Sequence, residues 1–263
     1  MCLAACKEGF VCYCRSLISL DVCHLKGVVV GQLLATVGID GNDGIHQIAY
    51  AIAKAKDKET WTWFLENLIG DIGPVRDHGW CFISYQQKGL LIALVDVVLD
   101  AYNKFCVKHL FANFKKNHKG KELKDLMWGA TKSLTTATFE IYMKQMKIVS
   151  KEACDELRGR FLLQWAKHVF PYYPKCNMLL NNLCETFNSK IVEAREKPLV
   201  NMLETIRRYL MVRIRKNRDS MAKYKGPICH KIQQKLEKCK ETSIDCKSIW
   251  SGEIRWEVNS YGK

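Results

Sequence analysis

The chain has 263 residues, 48% apolar and 26% charged, long enough to bury a sizeable core and too apolar for a disordered tail. Lysine and arginine number 41 against 27 acids, a net charge of +14 that favours polyanionic partners, nucleic acid first and acidic membrane surfaces second. Thirteen cysteines include no Cys-x-x-Cys pair, which speaks against a secreted disulfide scaffold and for a reducing compartment. Lys7 and Glu8 interrupt the apolar amino-terminal run and no window approaches the ~20 apolar residues of a membrane span, so a soluble intracellular protein is expected.

Residues 15–21 alternate like a strand, and Asp21 is expected as its last residue. Two more strand-like runs follow, 28–38 and 45–53, joined by Ile39-Asp40-Gly41-Asn42-Asp43-Gly44, a strong hairpin signal. Together they predict an antiparallel three-strand meander. Residues 59–69 place Trp61, Phe64, Leu65 and Leu68 at helical spacing, and a Gly-Pro loop over 70–79 leads to the most informative stretch. There Cys81-Phe82-Ile83-Ser84 reads as a short buried strand stopping at Tyr85, and Leu90, Leu91, Leu94 and Val97 open a helix. Sites in α/β sheets form at the carboxyl ends of such strands, so position 85 is where a charged catalytic residue is expected.

Residues 104–109 read as a fifth strand, giving the strand and helix order of a ribonuclease H-like domain, an α/β mixed sheet. From 110 the pattern turns to short amphipathic helices with lysine-rich connections, a helical insertion closed by Pro171 and Pro174. Residues 177–195 read as one helix with an apolar side (Leu180, Leu183, Phe187, Ile191) and a polar stripe (Asn181, Glu185, Asn188) facing something other than the core. Pro198 then opens a helix with Leu199, Leu203, Ile206, Leu210 and Ile214 inward. Residues 201–240 carry 12 lysines and arginines against 3 acids, among them Arg207, Arg208, Arg213, Arg215, Lys216 and Arg218, an asymmetry that points to DNA. The tail from Ser251 alternates like the first strand of a hairpin. Trp61, Trp63 and Trp80 read as core; Trp165 is either core or a base-stacking aromatic.

Asp21 and Glu185 supply two of the three carboxylates that metal-dependent phosphodiester chemistry needs, since two hard cations ~3.5–4 Å apart must be held by oxygen ligands. Four blocks, taken in order, sharpen this. Leu20-Asp21-Val22-Cys23-His24-Leu25-Lys26-Gly27, Phe82-Ile83-Ser84-Tyr85-Gln86-Gln87-Lys88-Gly89-Leu90, Phe105-Cys106-Val107-Lys108-His109 and Asn181-Asn182-Leu183-Cys184-Glu185-Thr186-Phe187-Asn188-Ser189 resemble the core of plant Mutator-like element (MULE) transposases.

The resemblance implies a ribonuclease H-like fold, an Asp-Asp-Glu triad binding Mg²⁺ or Mn²⁺, a Cys-x-x-His motif (Cys106, His109), DNA as partner and nuclear location, and leaves a homo-oligomer open. Carried across, Asp21 is the first acid and Glu185 the third; the second position holds Tyr85, and Val22 stands where glycine is common. A phenol of pKa near ~10 is neutral and cannot replace an anionic metal ligand. Asp77, Asp96 and Asp100 lie too far along their elements to substitute. Two ligands do not complete a structural zinc site, so Cys106 and His109 are read as packing or DNA contacts.

The expected organisation is a sheet core over 1–109, an insertion over 110–176, core-completing and basic helices over 177–250, and at 251–263 the start of the SWIM-like zinc module of full-length relatives. The expected function is that of a transposase core inactivated at Tyr85; the alternatives are a non-catalytic DNA-binding or transcription-regulatory descendant, or a decayed transposon fragment.

Overall fold

The computed structural model describes residues 1–27, 29–253 and 256–260. A helix, α1 (Ala4–Tyr13), precedes the strands β1 (Leu17–His24), β2 (Gln32–Ile39) and β3 (Ile45–Ala53). Helices α2 (Lys58–Ile72) and α3 (Val75–His78) lead to β4 (Cys81–Ser84), followed by α4 (Lys88–Val97) and β5 (Tyr102–Phe105). The strand order is β3-β2-β1-β4-β5, with the β1–β2–β3 meander antiparallel and β4 and β5 parallel to β1. Three antiparallel strands extended by two parallel ones and covered by helices make a ribonuclease H-like α/β fold.

The local reasons are ordinary. Asp40 closes the β2–β3 turn by accepting from the backbone N–H groups of Asn42 (2.9 Å) and Gly44 (2.7 Å). Asp57 caps α2 through the Thr60 N–H, and the Gln87 side chain caps α4 through the Leu90 N–H. One face of the sheet buries Ile18, Leu20, Leu34 and Phe82 against Trp61, Leu65, Leu90 and Leu94 of α2 and α4. The other buries Leu33, Ala35 and Val37 against α9 (Asn182–Lys190) and α10 (Leu199–Ala222).

Between β5 and α9 run α5 (Val107–Asn117), α6 (Lys121–Lys132), α7 (Thr136–Val149) and α8 (Lys151–Arg158), which share a core built on Phe114, Met127, Phe139, Met143 and Trp165. No strand occurs among the described residues of this region. After α10 come α11 (His230–Ser243) and a hairpin of β6 (Cys246–Trp250) and β7 (Trp256–Ser260).

Several expectations need correcting. The start of the second strand at Val28 lies outside the described residues, and β2 begins at Gln32. Asp21 is not the last residue of its strand: β1 continues to His24 because β2 keeps pairing with it as far as His24↔Gln32. The fifth strand is Tyr102–Phe105, and residues 107–109 already belong to α5, so the expected boundary at 109 falls inside a helix. The helix expected over 177–195 is only Asn182–Lys190, since the Val107 N–H donates to Leu179 O and the Asn181 N–H to Cys106 Sγ, tying that segment to the start of α5.

Trp61 and Trp80 are buried, but Trp63 is 51% exposed, two residues round the helix from Trp61. Trp165 is fully buried, which excludes base stacking there. The tail from Ser251 is the turn and second strand of the hairpin, whose first strand, Cys246–Trp250, the sequence pattern did not reveal; Ile254, Arg255 and residues 261–263 lie outside the described residues.

Candidate functional site

The parallel pairing of β1 with β4 runs Leu17↔Cys81, Ile18↔Phe82, Ser19↔Ile83 and then stops. Continued by two residues, that register sets Asp21 level with Tyr85, where the two strands part. Asp21 is still held by β2 on its other side, opposite Ala35. A cleft therefore opens beside one secured carboxylate.

Helix α9 closes the cleft from one side. Asn181 accepts from Ser19 Oγ and donates through Nδ2 to Leu20 O at 2.8 Å; Cys184 lies 3.3 Å from Ser19 O; Asn188 Nδ2 donates to Asp21 Oδ2 at 3.4 Å. Positions 181, 184 and 188 form one helical stripe against β1, so Asn181 and Asn188 of the polar stripe are buried on the sheet. Glu185, one residue round the helix, turns away from that stripe. Both its carboxylate oxygens accept from Lys108 Nζ at 2.9 Å. Buried Arg195 clamps the end of β1 by donating to His24 O (2.9 Å) and to Asn188 O (3.3 Å).

Helix α5 forms the opposite wall. Cys106 and His109 sit either side of its start and do different things: Cys106 accepts from Asn181, while the His109 ring lies 5.9 Å from that of Tyr85. Among the described residues, the buried atoms without a hydrogen-bond partner include Tyr85 Oη, His109 Nδ1 and Asn188 Oδ1 around this site. Burial raises Asp21 to about 6; the Val22 N–H, His109 and Lys56 act against the rise and the charge of Glu185 adds to it. Burial, helped by the charge of Asp21, pushes the Tyr85 phenol well above its usual range, so it stays neutral at any working pH. Tyr85, His109 and Glu185 thus all lie within electrostatic reach of Asp21. Asp96 and Asp100 do not join them: they pair with Lys58 and Arg76.

These residues do not fit a pair of divalent cations. Among the described residues no group of three or more His, Cys, Asp or Glu side chains could hold a metal ion. Tyr85 brings no charge, Glu185 is engaged by an ammonium, and the burial of Asp21 opposes its ionisation.

Residues 17–113 match the family of the MULE transposase domain. Over that segment the chain is similar to the MULE transposase domain. The matched segment includes Asp21, Tyr85, Cys106 and His109 and ends before Glu185. No curated protein matches the chain. Two solved structures are similar, each at 14% identity: "Structure of Mos1 transposase catalytic domain and Raltegravir with Mg", covering 70% of this chain and 86% of that one (TM-score 0.25), and "Crystal structure of the catalytic domain of Mos1 mariner transposase", covering 60% and 87% (TM-score 0.24). At such scores they add nothing to the topology described above.

The basic residues read from the sequence divide on α10. Arg207 and Arg208 are exposed but tied to Glu204, and Arg213 is half-buried and donates to Ile45 O at 3.0 Å. Arg215, Lys216 and Arg218 project into solvent, with Arg218 3.8 Å from Asp219. No described helix is long and apolar enough to cross a membrane. Sequence reasoning missed Lys108 as the partner of Glu185 and Arg195 as the clamp on β1. The Cys-x-x-His spacing held a usable signal, because it straddles a helix start and sends its two side chains to different neighbours.

Proposed function

We propose that this transposase-derived chain is a non-catalytic DNA-binding protein: Asp21 and Glu185 are the first and third acids of an Asp-Asp-Glu triad whose second place is taken by Tyr85. The observation that carries this reading is the half-buried, neutral Tyr85 level with Asp21, joined by the Lys108–Glu185 pair. Without a third carboxylate the Mg²⁺ or Mn²⁺ of a working centre has no cage, and DNA strand cleavage and transfer have no catalyst.

What remains is binding. Arg215, Lys216 and Arg218 contact duplex backbone phosphates, with Arg207, Arg208 and Arg213 supporting them from the preceding turns. The proposed organisation keeps a sheet core, a helical insertion opening with α5, and core-completing and basic helices, with the terminal hairpin belonging to a SWIM-like module. A protein of this kind works in the nucleus, as a regulator or competitor at DNA ends rather than a recombinase.

The reading is tested on duplex DNA. Affinity is expected to fall with salt at a slope of about 0.9 per phosphate contacted, and Arg215→Glu with Lys216→Glu to flatten that slope. No Mg²⁺- or Mn²⁺-dependent nicking is expected; nicking abolished by Asp21→Ala would refute the loss of catalysis, and a flat salt response would refute DNA binding by α10.

A further inference from the structure

The amino-terminal end of the same sheet holds a cavity of about 450 Å³, bordered by Arg15, Lys167, His168, Tyr172, Lys175 and Lys235. It lies between the start of β1, the segment linking α8 to α9, and α11. From Arg15 to Asp21 is six residues, on the order of 20 Å at ~3.3 Å per residue, so this cavity is remote from the Tyr85 cleft.

Its charge is one-sided. Asp43 pairs with both Arg15 and Lys235, so one carboxylate answers two cations. Lys167 and Lys175 have no carboxylate partner among the described residues. The loop that carries them is anchored rather than loose: Lys104, almost fully buried, donates from Nζ to Cys176 O at 2.8 Å and lies 4.1 Å from the centre of the Phe170 ring, and Tyr102 donates to Leu163 O.

At the rim the Lys175 N–H donates to Tyr172 O, closing a turn that holds Lys175 at φ +49°, a left-handed conformation an L-residue rarely adopts. That turn leaves Tyr172 94% exposed. His168 Nδ1 is buried without a partner. An anchored, strained loop that presents two unpaired ammonium groups beside an unpacked aromatic ring has the parts of a nucleotide site: cations for phosphates and a flat face for a base. A cavity this size admits one or two nucleotides and is far too narrow for a duplex.

We propose that this cavity binds single-stranded DNA, with Lys167, Lys175, Arg15 and Lys235 meeting the phosphodiester backbone and Tyr172 stacking on an unpaired base. The site needs no chemistry at Asp21 and no duplex contact by α10, so it stands or falls separately from the function proposed above.

The test uses the full chain and fluorescence anisotropy with two probes, an oligo(dT) of about 12 nucleotides and a duplex. Lys167→Glu with Lys175→Glu is expected to lower oligo(dT) affinity about 10-fold or more and to reduce its salt slope by about 0.7 for each phosphate no longer neutralised. Tyr172→Ala, at a side chain that supports no packing, is expected to lower it about 5-fold or more. Both are expected to leave duplex affinity unchanged, whereas Arg215→Glu with Lys216→Glu does the reverse. Oligo(dT) affinity unchanged in both cavity variants, or an equal loss of duplex and oligo(dT) binding in them, overturns the proposal. Failure of the α10 variant to alter duplex binding instead counts against the function proposed above.

Discussion

The two ends of the five-stranded sheet treat charge in opposite ways. At the carboxyl end of β1, Asp21 is enclosed by α9 and α5 and loses part of its tendency to ionise, while the charge of Glu185 is answered by Lys108. At the amino end, half-buried Lys167 and exposed Lys175 line a cavity on an anchored loop without a carboxylate partner among the described residues. The same fold therefore stabilises itself by neutralising one end and keeps unbalanced charge at the other. Enclosed charge must be paired or suppressed, but exposed charge remains free to meet a ligand. On that contrast, the enclosed end serves packing, and the open end is where the proposed nucleic-acid binding would lie.

Substitutions at the enclosed end should move stability, and those at the open end should move binding. The largest effect is expected for Asn181→Ala, which removes the bonds to Ser19 Oγ and Leu20 O and leaves Ser19 Oγ only the weak partner Cys184 Sγ; a loss of about 2–4 kcal/mol in urea unfolding is expected. A loss under about 0.5 kcal/mol would mean that α9 is not clamped through this residue.

Asp21→Asn comes next and acts in the other direction. The folded-state pKa of Asp21 is raised to about 6 from an ordinary value of 3.8, so its ionised form is the one the fold disfavours. The resulting destabilisation is present in full above about pH 6 and is gone below about pH 4. The asparagine variant should gain on the order of 2 kcal/mol over the parent at about pH 7.5 and nothing at about pH 3.5, read from paired urea melts. A gain independent of pH would show that the carboxylate is not held in a protonation-sensitive cleft. The smallest effect belongs to Lys108→Ala: its ion pair with Glu185 is largely solvent-exposed and should contribute less than about 1 kcal/mol, fading with added salt. A larger, salt-insensitive loss would place that pair inside the packing rather than at its rim.

Much of this arrangement could be read from the chain itself. The meander was legible because Asp40 to Gly44 is a turn in its chemistry as well as its composition, and β4 followed by α4 because Cys81 to Ser84 is short, apolar and bounded by turn residues. Position 85 drew attention in the sequence because strand ends in α/β sheets are where sites form, and the structure sets it level with Asp21. Other features were hidden because they depend on neighbours distant in sequence. The extension of β1 past Asp21 comes from pairing with β2, and the shortening of α9 from the strap that residues 177–181 lay across the start of α5. Helical periodicity put Glu185 with Asn181 and Asn188, yet the sheet takes the two asparagines and leaves the acid to Lys108. Trp63 shares a helix and a chemistry with Trp61, and only the packing of α2 decides which ring is buried.

Calorimetric titration of the chain with Mn²⁺, beside Tyr85→Asp and Asp21→Ala, bears most directly on the central claim. The parent is expected to show no stoichiometric binding, and Tyr85→Asp to gain an Mn²⁺ site that Asp21→Ala removes. Binding of two Mn²⁺ ions by the parent itself, lost in Asp21→Ala, would contradict a cleft in which an uncharged ring has replaced the middle acid.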